Sequence, residues 1–145
     1  MLKALVKGMW ITLKKMFMKP LTVDYPREVR DRPDRYRGRH VLTRNEEGLE
    51  NCVGCGLCGA YCPVDAIFIQ GEENPEDNPE SIGERYASEY EIDASRCIFC
   101  GYCEDACPTD AIILTSEFEM SVERREDLLW DKDFLMEDEP AGSST

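Results

Sequence analysis

The sequence predicts an α+β fold: a small core of two matching halves, preceded by an amphipathic helix and an extended basic arm. Three observations predict it. Residues 52–69 (CVGCGLCGAYCPVDAIFI) align without a gap with residues 97–114 (CIFCGYCEDACPTDAIIL), and nine of the eighteen positions are identical. Such a repeat implies two pseudo-symmetric halves. Residues 2–17 carry a helical apolar period. Residues 27–39 carry six arginines and no apolar period at all.

The first element is the helix. At about 100° per residue, Leu2, Leu5, Val6, Met9, Leu13, Met16 and Phe17 share one arc of about 120°. Lys3, Lys7 and Lys14 share the opposite side, and Ile11 breaks the pattern. Four lysines rule out an ordinary transmembrane span. A basic face, an apolar face and Trp10 between them suit a helix lying in a membrane interface or packed on a protein neighbour. Pro20 and Pro26 end it and open an extended linker. Arginines 27, 30, 32, 35, 37 and 39 then read as an irregular arm that lies on a partner, since the guanidinium fork binds carboxylates in fixed geometry. Helix and arm make up residues 1–39.

The core is expected over residues 40–116. Each half reads as strand, cysteine loop, short helical turn, strand. His40 to Thr43 and Tyr90 to Asp93 enter the two loops; Ala66 to Ile69 and Ala111 to Thr115 leave them. Gly54, Gly56 and Gly101 let backbone come close to whatever the loops hold. Pro63 and Pro108 remove a donor and direct the chain outwards. Residues 71–88, acidic and rich in Pro, Gly and Asn, read as a surface insertion between the halves. Residues 117–145 form an extension. Val122, Leu128, Leu129, Leu135 and Met136 suggest a weak helix over 121–136, and the last nine residues read as a disordered tail.

All eight cysteines lie in the repeat. Cys52, Cys55, Cys58 and Cys62-Pro63, then Cys97, Cys100, Cys103 and Cys107-Pro108, both spell C-x₂-C-x₂-C-x₃-C-P. This is the bacterial ferredoxin run, whose thiolates ligate [4Fe–4S] cubes. The fold is then a duplicated two-[4Fe–4S] ferredoxin-like core with metal staples for a module too small to rely on apolar burial. In two-cluster ferredoxins the fourth cysteine ligates the other cluster. Cluster one is therefore assigned Cys52, Cys55, Cys58 and Cys107, and cluster two Cys97, Cys100, Cys103 and Cys62. Four disulfides or a zinc site compete for the same residues. Lysines 3, 7, 14 and 15 interrupt any secretory signal, and zinc pairs are normally split by a longer loop. The expected compartment is reducing, hence cytoplasmic.

Val53, Leu57, Ile67, Ile98, Phe99 and Ile112 are expected to keep water from the clusters. Tyr61 and Tyr102 read as packing residues, and His40, the only histidine, as structural. No nucleophile–base pair, phosphate loop or spaced carboxylate pair is apparent, so no catalytic residue and no direct small-molecule substrate are assigned. Charge is uneven. Residues 1–44 hold 12 Lys/Arg against 4 Asp/Glu, and residues 45–145 hold 5 against 26. A basic arm on an acidic body points to an anionic or membrane-proximal partner. Nucleic acid is excluded, because no stripe interleaves aromatics with base-reading side chains.

The chain resembles subunit I of bacterial NADH–quinone oxidoreductase, respiratory complex I. Beyond the cysteines the resemblance rests on Trp10, Thr12, Leu13 and Lys14, then Lys19-Pro20, Tyr25-Pro26 and Arg35-Tyr36-Arg37-Gly38-Arg39-His40. Gly48-Leu49-Glu50 and Glu117-Phe118-Glu119 extend it on either side of the repeat. The resemblance implies a relay of single electrons through two [4Fe–4S] clusters, from the large iron–sulfur subunit towards the terminal cluster and quinone. It implies other hydrophilic-arm subunits and the membrane-arm junction as partners. It also implies a peripheral place on the cytoplasmic side of the membrane, with residues 2–17 at the membrane surface. A free soluble ferredoxin is the alternative, but it does not need about forty basic and apolar residues ahead of its first strand. The equivalent subunit of a hydrogenase-type membrane complex is another.

Overall fold

The computed structural model describes residues 2–75, 77 and 79–136. It divides into two compact units, Met1–Arg32 and Pro33–Thr145. In the first, helix α1 spans Leu2–Met16 and buries no residue. Lys14 and Lys15 in its last turn complement the negative end of the helix dipole. Its apolar arc stands open, with Met9 72% and Leu2 76% exposed. No helix among the described residues is long and apolar enough to cross a membrane. The chain after α1 is irregular, and its arginines bond locally. Arg27 pairs with Asp24 at 3.3 Å, and Arg30 donates to the Leu21 carbonyl at 3.0 Å.

The second unit holds β1 (His40–Leu42), α2 (Leu57–Ala60), β2 (Ile67–Glu73), β3 (Arg85–Asp93), α3 (Tyr102–Asp105), β4 (Ile112–Leu114), β5 (Leu129–Trp130) and α4 (Lys132–Met136). Strand β1, which enters the first half, pairs antiparallel with β4, which leaves the second. Strand β3, which enters the second half, pairs antiparallel with β2, which leaves the first. The duplication is thus visible in the register. His40 faces Leu114 as Tyr90 faces Ile69, and Leu42 faces Ile112 as Ile92 faces Ile67. Each loop carries the same left-handed residues: Gly54 and Phe99, Gly56 and Gly101, Asp65 and Asp110. The core is sealed by Leu42, Tyr90, Ile92, Ile112, Trp130 and Leu135, all nearly or wholly buried.

Three elements differ from the sequence-based expectation. Residues 71–88 are not a plain surface insertion: β2 runs on to Glu73 and β3 begins at Arg85, so both ends continue the hairpin. Asn74 closes its far end by donating to the Ser81 and Gly83 carbonyls, both at 2.8 Å. Cross-strand pairing carries polar sequence into the sheet here, which composition does not reveal. The extension over 121–136 is not one helix either. A 3₁₀ turn (Glu126–Leu128) leads into β5 and the five-residue α4. Trp130, set opposite Ile92 on the edge of β3, is 3% exposed and breaks the helical pattern. The arm also ends on the core. The Gly38 N–H donates to the Thr115 carbonyl at 2.7 Å, and buried Arg39 pairs with Glu117 at 2.9 Å. The tail expected over the last nine residues lies outside the described residues.

Candidate metal centres

None of the eight cysteines is in a disulfide. They sort around two small pockets. Cys52, Cys55, Cys58 and Cys107 line the first, and Cys62, Cys97, Cys100 and Cys103 line the second. Each set takes three cysteines from one loop and the fourth from the other half. The reason is local. Spacing of three along a tight loop keeps three sulfurs on one side. The fourth lies past the short helix, at the proline that begins the outgoing strand, and that strand pairs with the opposite half. Charge interactions among the thiols run mainly within each set. Cys52 is coupled to Cys58, Cys107 and Cys55, and Cys97 to Cys62 and Cys100. Cys103 is coupled to both Cys97 and Cys58, and α2 packs on α3, so the cavities adjoin.

The loops depend on left-handed backbone. Gly54 has φ 62°, and a Cβ there would stand 2.5 Å from the Tyr86 carbonyl oxygen. Gly101, with φ 84°, precedes α3 and leaves its face to the Arg37 guanidinium. Ser81, 2% exposed, donates its hydroxyl to the Cys52 carbonyl at 2.7 Å and anchors the first loop from the hairpin. Sequence reasoning missed Ser81, since it sits in an acidic, proline-rich stretch with no signal of its own.

The donor set fits a polynuclear iron–sulfur group. Backbone N–H groups of Ala66, Phe99 and Ala111 donate to the sulfurs of Cys62, Cys97 and Cys107 at 3.2–3.3 Å. Tyr90, 3% exposed, donates its hydroxyl to Cys58 Sγ at 3.4 Å. His40, 1% exposed, holds Nε2 at 3.9 Å from Cys97 Sγ. Burial pushes the Cys52 thiol up to about 11 and Cys103 to about 12. Burial also opposes ionisation of Cys107, but hydrogen bonds from Thr109, Ala111 and Ile112 outweigh it and lower that thiol. A bound cation beside Cys52 and Cys103 would offset that burial and favour their thiolates. Burial likewise lowers His40 to about 4, so its ring is neutral at pH 7.

The apolar shell is partly as expected. Val53 and Ile112 line the first cavity, Ile67 and Ile98 the second, and Phe99 packs against the buried core. Leu57, however, is 40% exposed and lines neither. Leu42, Ile69 and Tyr90 close the first cavity instead, delivered by strands. Tyr61 and Tyr102 are not core packing residues: they are 62% and 54% exposed, because each sits at an end of its short helix and projects outward. The buried aromatic positions go to Tyr90 and Trp130.

The 4Fe-4S dicluster domain family matches residues 51–111. Over 139 residues the chain is 54% identical to NADH-quinone oxidoreductase subunit I 1 of Symbiobacterium thermophilum, covering 96% of this chain and 86% of that protein. It is 52% identical to NADH-quinone oxidoreductase subunit 9 of Thermus thermophilus, covering 94% and 75%. Among solved structures, it is similar to a chain of the membrane-bound sulfane sulfur reductase, an archaeal respiratory membrane complex. That match has a TM-score of 0.54 and 34% identity, and covers 82% of this chain and 57% of the other.

Proposed function

The chain belongs to the NADH-quinone oxidoreductase subunit I family, and on that footing we propose that it relays single electrons through two [4Fe–4S] clusters. The observation that carries this reading is the division of eight cysteines into two crossed sets of four around adjoining cavities. Cys52, Cys55, Cys58 and Cys107 would hold cluster one; Cys97, Cys100, Cys103 and Cys62 would hold cluster two. A bound cube supplies a site that accepts and releases one electron without making or breaking a bond in the protein. The chain's own residues do the rest. The thiolates bind, the crossed fourth cysteines fix the two sites side by side, and the N–H donors compensate negative charge on sulfur. Leu42, Ile69 and Ile112 keep water from the first site. Ala66 and Ile67 do so at the second.

The electrons come from the large iron–sulfur subunit and leave towards a terminal cluster and quinone. The neighbours are hydrophilic-arm subunits and the membrane-arm junction. The chain sits peripherally on the cytoplasmic side, with α1 at the junction. The open apolar arc of α1 supports that placement, since a free carrier has no use for it.

A second reading, a subunit of another respiratory membrane complex, is favoured by the similarity to the sulfane sulfur reductase chain. Its lower identity places it behind the NADH enzyme. Native separation of complexes from membranes extracted in mild detergent tests both. Co-migration with an assembly that reduces quinone with NADH supports the first reading. Migration with an assembly lacking NADH activity selects the second. Recovery as a small free iron protein overturns both.

A further inference from the structure

His40 and Tyr90 occupy equivalent positions of the duplication. Ile69 and Leu114 both end the eighteen-residue repeat. Tyr90 faces Ile69 across one strand pair, and His40 faces Leu114 across the other. Both side chains are buried, and each turns a polar atom to a cysteine sulfur, the hydroxyl of Tyr90 and Nε2 of His40. The contacts are unequal. The Tyr90 hydroxyl donates to Cys58 Sγ at 3.4 Å, whereas His40 Nε2 stands 3.9 Å from Cys97 Sγ. The two halves therefore share ligand spacing, loop backbone and strand register but differ in the polar group each strand brings to its cavity.

We propose that Tyr90 is a tuning residue for cluster one, its buried hydroxyl raising the reduction potential of that cluster through the hydrogen bond to Cys58. The inference rests on the cysteine assignment proposed above. A cube gains negative charge when it accepts an electron, and part of that charge resides on the cysteine sulfurs. A donor aimed at a sulfur stabilises the reduced form more than the oxidised form, so the potential rises. Burial strengthens the effect, because no water competes for the sulfur. The hydroxyl keeps its proton throughout, and no bond in Tyr90 forms or breaks. Its position in the middle of β3 holds the ring in place. Tyr86, on the same strand, provides the contrast: its hydroxyl reaches Glu72 at 3.5 Å rather than a cysteine.

The test is an anaerobic redox titration of the full chain loaded with iron and sulfide, followed by electron paramagnetic resonance. Unaltered protein, Tyr90→Phe and Tyr86→Phe are compared. Tyr90→Phe is expected to shift one midpoint to lower potential, leaving the other midpoint and the iron content unchanged. It should also abolish a hyperfine coupling that appears when the unaltered protein is exchanged into deuterium oxide. Tyr86→Phe is expected to shift neither midpoint. Biosynthetic 3-fluorotyrosine makes a stronger donor without removing the ring, and should shift the same midpoint upward. This keeps the test decisive where the phenylalanine variant loads iron poorly. Unmoved midpoints with either change, at full iron content, overturn the proposal. Unaltered chain that takes up iron for only one cube, or shows one signal, overturns the cluster assignment instead.

Discussion

Gly54 and Cys62 show how much single residues decide in the cysteine loops. Gly54 holds φ 62°, and a Cβ there would stand 2.5 Å from the Tyr86 carbonyl oxygen. Its counterpart Phe99 holds φ 51° with a full side chain, so the second loop tolerates what the first does not. Gly54→Ala is expected to cost about 1–2 kcal/mol in left-handed backbone strain, with the clash added. Iron analysis should find cluster one depleted, and thermal melting should find the loaded chain less stable. Cys62→Ser should perturb cluster two, although Cys62 lies in the first cysteine run. Selective loss of the cluster-one resonance would sink the crossed assignment. The eight cysteines are legible in sequence because their spacing is itself the geometry. Tyr90 and Ser81 are not, because strand register and a folded hairpin end bring them to the first cysteine loop from 32 and 29 residues away.

At the scale of elements, the core is completed from outside the repeat. Lys132, at the start of α4, reaches Glu50 at 2.8 Å and the Ala87 carbonyl at 2.7 Å. Both charged side chains are largely buried, at 16% and 7% exposure. This link fixes α4 and Trp130 against β3 and against the segment that leads into Cys52. Lys132→Met should destabilise the chain by about 3–5 kcal/mol, because Glu50 is left as a buried, unpaired charge. Adding Glu50→Leu should restore most of the loss, since an apolar pair no longer carries that charge. Chemical denaturation of the loaded single and double variants measures both. The strands around the cysteine loops are legible because apolar runs such as Ile67-Phe68-Ile69 and Ile112-Ile113-Leu114 flank the loops. The hairpin beyond Gln70 is hidden by its acidic sequence, where pairing rather than burial makes the strand. The extension is hidden because Trp130 interrupts any helical period, and its value lies in the β3 edge it covers.

The whole molecule joins two units with opposite chemistry. One is basic, with an apolar helix face that nothing in its own unit buries; the other is acidic and built around the cysteines. Iron removal should therefore act on one unit only. A chelator under reducing conditions is expected to abolish the cooperative melt of the cysteine unit, because the proposed cluster ligands Cys52, Cys58 and Cys103 are part of its core. The far-ultraviolet circular dichroism of that unit should collapse with the cluster absorbance. The helix unit asks the opposite question, since it needs no metal and has no core. Leu2, Leu5, Met9 and Leu13 are spaced to meet an apolar surface, and all are exposed. Leu5→Glu with Met9→Glu puts two carboxylates in the middle of that face and leaves the cysteine unit untouched. The double variant is expected to load iron as the unaltered chain does, yet to be lost from the membrane complex in native separation. Normal incorporation would show that the arm and core suffice to dock the subunit. Failure to load iron would mean that the two units fold together, contrary to the division drawn from their separate chemistry.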